Sequence, residues 1–310
     1  MKLVNTMKIA VTIGDPAGIG PELVLKTLPA FLRYSPVIYG NHAILGQTAR
    51  KLGLLRNYYL MRKHIENSVP TIKFEFGKPD EETGKVALHS IKSALADHPD
   101  IIITAPIVKN VIKKFFKNFI GQTEFLADYF KTRNFAMVGL LKEKKIMFLT
   151  THLPVADIPE KINKEEICNK LVLFDHGLRK FFGIRKPNLA VSTLNPHGAE
   201  FGYGEEKIIE QGIGKARNRG ITVSGPFPAD SIFDRKFDGF LVMYHDQGFV
   251  YLKAKRGGLN WTLGLPVIRL SPLYGAALDI AGKNCADTTG MINALRMGIK
   301  MYHQARKELI

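Results

Sequence analysis

Short apolar runs that stop abruptly in polar turns, with amphipathic stretches between them, constrain this chain more than any other feature. Ile101-Ile102-Ile103-Thr104 is apolar, β-branched and too short for a helix, and it opens onto Ala105-Pro106-Ile107-Val108-Lys109. Lys8–Ile13, Pro36–Gly40, Leu189–Leu194 and Phe240–Val242 repeat that form. Between such runs, Ala43–Leu52, Thr83–Ala96 and Glu205–Arg217 read as helices, the second with Ala87, Ile91, Ala94 and Leu95 on one stripe. Asn163 is a predicted N-cap, with Glu165 and Glu166 in the first turn of a helix reaching about Arg179. Strands separated by helices of this length imply right-handed βαβ units and a mostly parallel sheet. One pair departs from the rule. Ala136–Leu141 and Ile146–Thr150 flank a charged Lys142–Lys145 turn and predict an antiparallel hairpin.

At 310 residues and 45% hydrophobic content, the chain can bury the cores of two lobes and is not of disordered composition. No apolar run reaches membrane-spanning length, and Met1-Lys2-Leu3-Val4 begins no signal peptide, with Met1 and Met7 both possible starts. Cys168 and Cys285 form no metal or redox motif, which fits a reducing cytoplasm. The net charge of +16 points either to nucleic acid or to a small anionic substrate. It is spread over patches such as Lys113-Lys114 and Lys142-Glu143-Lys144-Lys145, and no nucleic-acid-binding signature accompanies it. Solvated surface lysines, with a phosphate-seeking cleft, are the better reading.

Several turns invite a chemical reading. Gly14-Asp15-Pro16-Ala17-Gly18-Ile19-Gly20-Pro21-Glu22 joins a strand to a helix entered at Pro21. Its backbone N–H groups could hold an anion, or it is simply a tight βα turn; it matches neither a Rossmann fingerprint nor a P-loop. Lys109 follows a strand end, where a ligand contact and a solvated lysine look alike. Gly121-Gln122-Thr123-Glu124 opens a helix to about Tyr129, and Gly225–Asp230 is a proline-rich turn before a helix-like Ser231-Ile232-Phe233.

Three histidines, His152, His197 and His245, each follow an apolar run directly and sit in polar or Gly/Pro-rich turns. His42, His64, His89, His98, His176 and His303 lie in helix-like or surface contexts. Three neutral imidazoles leave positions open on a divalent metal, as catalysis requires, and Asp230 and Asp246 could orient the rings. Three structural histidines would give the same pattern. Lys253, Arg256, Asn260 and Arg269 come soon after and suggest a phosphate or carboxylate clamp, although Lys255 and Arg256 also suit a general basic surface.

The motifs Gly14–Glu22, Thr104-Ala105-Pro106-Ile107, Gly121–Leu126, Thr151-His152-Leu153-Pro154 and Leu194-Asn195-Pro196-His197 fall in one order along the chain. Gly225–Asp230, Met243-Tyr244-His245-Asp246-Gln247-Gly248 and Asn260–Pro266 continue it. Together they resemble the 4-hydroxythreonine-4-phosphate dehydrogenase family of pyridoxal phosphate biosynthesis, over nearly the whole length. The resemblance implies two α/β/α lobes around a central cleft, as in isocitrate and isopropylmalate dehydrogenases, without a Rossmann fingerprint. The lobes are expected over 1–120 plus 265–310 and over 121–264, the second carrying the histidines and dimer contacts.

The resemblance further implies that His152, His197 and His245 hold one divalent ion (zinc, magnesium or cobalt) in a site completed across a homodimer interface. His152 and His197 would come from one chain and His245 from the other. Gln122, Thr123, Lys253, Asn260 and Arg269 would bind substrate, Gln122 replacing the family's usual His; an amide can donate but cannot act as a base. The loop between Lys253 and Asn260 is shorter than in many relatives. The implied activity is NAD- or NADP-dependent oxidation of 4-phosphooxy-L-threonine, the product decarboxylating to 3-amino-2-oxopropyl phosphate. The nearest alternative is a dehydrogenase of 4-phosphothreonate or 4-phosphoerythronate, and a remote one is a basic nucleic-acid-binding protein. The cofactor contacts are not legible, the Gly14–Glu22 loop being only a candidate.

Overall fold

The computed structural model describes residues 7–307, so the Met1-Lys2-Leu3-Val4 start lies outside the described residues. The strands are β1 (Ile9–Thr12), β2 (Val37–Gly40), β3 (Ile65–Asn67), β4 (Ile101–Thr104), β5 (Ala136–Leu141), β6 (Lys144–Phe148), β7 (Leu189–Ser192), β8 (Val223–Phe227), β9 (Gly239–Val242), β10 (Leu259–Leu263) and β11 (Ile268–Pro272). The helices are α1 (Gly20–Thr27), α2 (His42–Leu52), α3 (Leu55–Met61), α4 (Glu81–Ala96), α5 (Lys109–Phe115), α6 (Gln122–Tyr129), α7 (Ile158–Lys161), α8 (Lys164–Phe182), α9 (Glu205–Asn218), α10 (His245–Lys253) and α11 (Thr289–Lys307). No helix among the described residues is long and apolar enough to cross a membrane.

The chain divides into two compact units, Met1–Phe125 with Val267–Ile299, and Leu126–Pro266 with Lys300–Ile310. The division falls within α11, at Ile299, where the first lobe was expected to run on to residue 310. In the first unit the strands run β3-β2-β1-β4-β11, every pair parallel. Ile101, Ile102 and Ile103 are all fully buried, which is why β4 is apolar without alternation. Helix α4 starts at Glu81, earlier than its apolar stripe suggests, because Asp80 and Thr83 form a reciprocal capping box.

In the second unit the order is β10-β5-β6-β9-β7-β8, antiparallel for β10–β5 and β5–β6 and parallel beyond. The hairpin turn is tighter than expected, with Leu141 already paired to Lys144. Lys144 and Lys145 enter the strand by laying their stems over rings, Lys144 Nζ 4.9 Å from the Phe240 centroid and Lys145 Nζ 5.1 Å from that of Phe182. The expected Gly225–Asp230 turn is likewise half strand. Pro226 lies within β8, which ends the strand order and so tolerates a residue without an N–H. Asn163 caps α8 as expected, accepting from Glu165 N at 2.8 Å and Glu166 N at 3.3 Å.

Candidate active site

In the second unit β6, β9 and β7 are parallel neighbours, so Phe148, Val242 and Ser192 end at one edge of the sheet. Each of the three singled-out histidines follows one of those ends. Pairing continues past β6, with Leu149 N donating to Val242 O at 2.8 Å and Thr150 Oγ1 to Met243 O at 2.8 Å. That zipper brings His152 beside His245, ring centroids 6.2 Å apart. His152 (φ 54°) and His197 (φ 55°) are both left-handed, a conformation that non-glycine residues hold only where the surroundings impose it. His245 is not in a turn but opens α10, its ring stacked on Phe249 at 4.0 Å.

His245 Nδ1 donates to Asp246 Oδ1 at 2.6 Å. A carboxylate only accepts, so the proton is held on Nδ1 and Nε2 is left as the ligating or accepting nitrogen. His152, Tyr244, His245 and Asp246 line a cavity of ≈ 170 Å³. Asp230 is exposed, and the carboxylate bonded to His245 is that of Asp246. No three His, Cys, Asp or Glu side chains gather into a metal-binding group among the described residues. Within one chain the close pair is His152 with His245, where the expected partition put His245 on the partner. Two imidazoles, one fixed in its tautomer by a carboxylate and both lining a cavity, nevertheless fit an ion that takes nitrogen ligands.

Sequence reading passed over what holds this edge together, Gln247. Its Oε1 accepts from Met243 N at 2.8 Å and Ser192 Oγ at 3.0 Å, while Nε2 donates to Thr193 O at 2.8 Å and Leu194 O at 3.3 Å. One amide therefore ties the His245 turn to the loop bearing His197. Asn195 secures the far side of that loop, its N–H donating at 2.9 Å to Glu206, a carboxylate that is 3% exposed. Such a role has no sequence signature, since Ser192, Thr193 and Leu194 lie 53–55 residues upstream.

The first unit builds a second polar cluster, around Arg269 on β11. Its guanidinium is buried, donating from Nη2 to Thr104 Oγ1 at 2.8 Å and Gln122 Oε1 at 3.2 Å, and from Nη1 to Thr123 Oγ1 at 3.3 Å. Burial pushes its pKa down to about 10, against the opposing pull of Glu124. Gln122 Nε2 donates to Ala105 O at 3.2 Å, so this amide braces the arginine rather than waiting on a proton. Lys109 is half-buried, its pKa lowered by desolvation with Glu124 again opposing. A Cβ at Gly121 would stand 2.9 Å from Glu124 Oε2 and 3.2 Å from Lys109 Nζ, which places acid and ammonium side by side. Lys109 is thus no stray loop lysine. Of the other expected substrate contacts, Lys253 is the exposed last residue of α10, and Asn260 lies buried in β10 with Oδ1 unpartnered.

The glycine loop is a tight turn with several of its N–H groups already bonded. Asp15 N donates to Pro106 O at 3.0 Å, Ile19 N to Ala276 O at 2.9 Å, and Ala17 N to Asp15 Oδ1 at 2.9 Å. Those N–H groups are spent inside the fold. Gly14 (φ 69°) is required, because a Cβ there would meet Pro106 O at 2.3 Å. The loop offers a nicotinamide cofactor no phosphate-binding N–H groups at these positions.

A family model described as "Pyridoxal phosphate biosynthetic protein PdxA" matches residues 33–298. A protein from Sulfurihydrogenibium sp. (strain YO3AOP1), named 4-hydroxythreonine-4-phosphate dehydrogenase, is 35% identical across 94% of this chain and 98% of its own. One of the same name from Aquifex aeolicus (strain VF5) is 38% identical across 94% and 97%. The crystal structure of 4-hydroxythreonine-4-phosphate dehydrogenase from Klebsiella pneumoniae superposes with a TM-score of 0.78 at 29% identity, covering 95% of this chain and 99% of that one. Fold, polar clusters and relatives define a mixed α/β oxidoreductase. Within that class, the chain belongs to the PdxA family.

Proposed function

We propose that this enzyme oxidises the secondary alcohol of 4-phosphooxy-L-threonine to 2-amino-3-oxo-4-phosphooxybutanoate, with NAD or NADP and one divalent ion per site. The β-keto acid then loses carbon dioxide to give 3-amino-2-oxopropyl phosphate, on the way to pyridoxine 5'-phosphate. The observation that carries this reading is the paired His152 and His245, with Asp246 on Nδ1, in a chain that matches the family over its length.

His152 and His245, with His197 as the proposed third, would hold the ion. Bound there, it supplies Lewis acidity that lowers the pKa of the substrate hydroxyl. The nicotinamide, when bound, accepts the hydride. Imidazole donors favour zinc or cobalt over magnesium, which prefers oxygen. Asp246 keeps the His245 proton on Nδ1, so that Nε2 stays a lone-pair donor. Arg269 neutralises a substrate anion; Thr104, Thr123 and Gln122 hold its plane in place beforehand, so little order is lost on binding. Lys253 adds a second cation, and the unpartnered Asn260 Oδ1 is an acceptor for a substrate N–H or O–H.

The test is NAD(P)H formation with 4-phosphothreonine beside 4-phosphothreonate and 4-phosphoerythronate, before and after chelation. Turnover of 4-phosphothreonine above the other two, lost on chelation and restored by zinc or cobalt, is expected. Faster turnover of either acid would transfer the assignment to it, and full activity in metal-free protein would remove the ion from the reading.

A further inference from the structure

The first unit holds another cationic recess, built from residues that take no part in the Arg269 cluster. The end of α1, the 3-10 turn Leu28–Tyr34 and one face of α11 enclose ≈ 260 Å³. Its floor is apolar, with Phe31 and Ile299 each 7% exposed and Ile292 beside them. Its rim carries Lys26, Arg33 and Arg296, and no carboxylate lines it. Lys26 is already committed, donating to Glu22 Oε1 at 2.5 Å and Asn284 O at 2.9 Å. The two arginines are not. Arg33 Nη2 donates only to the neutral Tyr34 hydroxyl at 2.8 Å, its Cζ 4.7 Å from that ring's centroid, and neither arginine has an ion pair among the described residues. An exposed arginine alone would be ordinary on so basic a chain; two without counter-charge over a concave apolar floor form a matched amphipathic pocket.

We propose that this recess binds a small aryl phosphate monoester, its ring on Phe31, Ile292 and Ile299 and its phosphate between Arg33 and Arg296. Size allows it: a cavity of about 150 Å³ already accommodates benzene, which leaves room here for a head group. Charge selects the head, since a phosphate carries roughly −1.5 to −2 at neutral pH and meets two guanidiniums, where a carboxylate would satisfy one. Bare phosphate would leave the floor unused.

Calorimetric titration of the full-length protein with phenyl phosphate, inorganic phosphate and benzoate tests the assignment. Phenyl phosphate should saturate one site at least about tenfold more tightly than either of the others. Arg296→Glu should weaken it by about tenfold or more, and Ala30→Trp, which fills the recess from an exposed position, should abolish it. Neither variant should change turnover of the dehydrogenase substrate. Absence of saturable binding, binding that survives Ala30→Trp, or benzoate bound as tightly as phenyl phosphate would each overturn the proposal.

Discussion

Arg269 and Asp15 are both buried charges, and the difference in their partners sets what each does. Arg269 has three polar side chains and the field of Glu124 to hold it charged, so its cost is met before substrate arrives. Arg269→Met should raise KM strongly while the protein still folds, since a charge-assisted contact to a bound anion is worth about 1.5–3 kcal/mol. Steady-state kinetics with unchanged KM would remove Arg269 from substrate binding. Gln122→His should be nearly silent in the same assay, because a ring nitrogen can still accept from Arg269. Asp15 is fully buried, accepts from Ala17 N through Oδ1 and has no partner on Oδ2, and burial raises its pKa to about 6. A raised carboxyl means that the folded state holds the proton more tightly than the unfolded chain does. Its contribution to stability is therefore fullest below pH about 4 and is lost as pH rises through about 6, a penalty on the order of 3 kcal/mol at neutrality. Asp15→Asn keeps the acceptor for Ala17 and removes the charge. Urea unfolding should find it more stable than the parent at pH 8, with the gain shrinking below pH 5; the same difference at both pH values would refute the account.

At the scale of elements, what the sequence displayed was periodicity, and what it concealed was long-range bonding. The runs Ile101–Thr104 and Phe240–Val242 are strands because nothing but burial explains three adjacent apolar residues in each, and the strand-end placement of His245 follows from the second. The sequence starts the second hairpin strand at Ile146 and not at Lys144, because Lys144 and Lys145 look like turn residues until Phe240 and Phe182 are seen beneath their stems. In the Gly14–Glu22 loop a sequence does not reveal that Pro106 O and Ala276 O already take the N–H groups of Asp15 and Ile19. Gln247 makes the same point for function. Its four bonds join two strand ends, and Gln247→Leu would strand the Met243 and Ser192 donors and the Thr193 carbonyl. Each buried group left without a partner costs about 1–3 kcal/mol. Gln247→Leu should lower Tm by several degrees and weaken metal retention, measured by dialysis against a chelator, more than Ser192→Ala does. A variant that unfolds earlier yet holds metal as the parent does would make Gln247 a structural suture only.

For the whole molecule, subunit exchange tests which chain supplies which histidine. The described residues of one chain bring His152 and His245 to 6.2 Å and gather no third candidate ligand with them. A catalytic metal commonly takes three protein ligands and keeps one position for substrate. If the active enzyme is a homodimer with shared sites, the chain geometry predicts His152 and His245 in cis and His197 from the partner. Co-expression of two inactive variants decides this, because it distributes intact ligands by subunit. Pairing His152→Ala with His197→Ala gives a heterodimer in which one site has intact His152 and His245 from the second chain and intact His197 from the first. That mixture should regain part of the parent activity. Pairing His152→Ala with His245→Ala should regain none, since every site then lacks one member of its cis pair. Recovery in the second mixture and not the first would place His245 across the interface from His152. No recovery in either, with heterodimers demonstrated by mass, would confine all three histidines to a single chain.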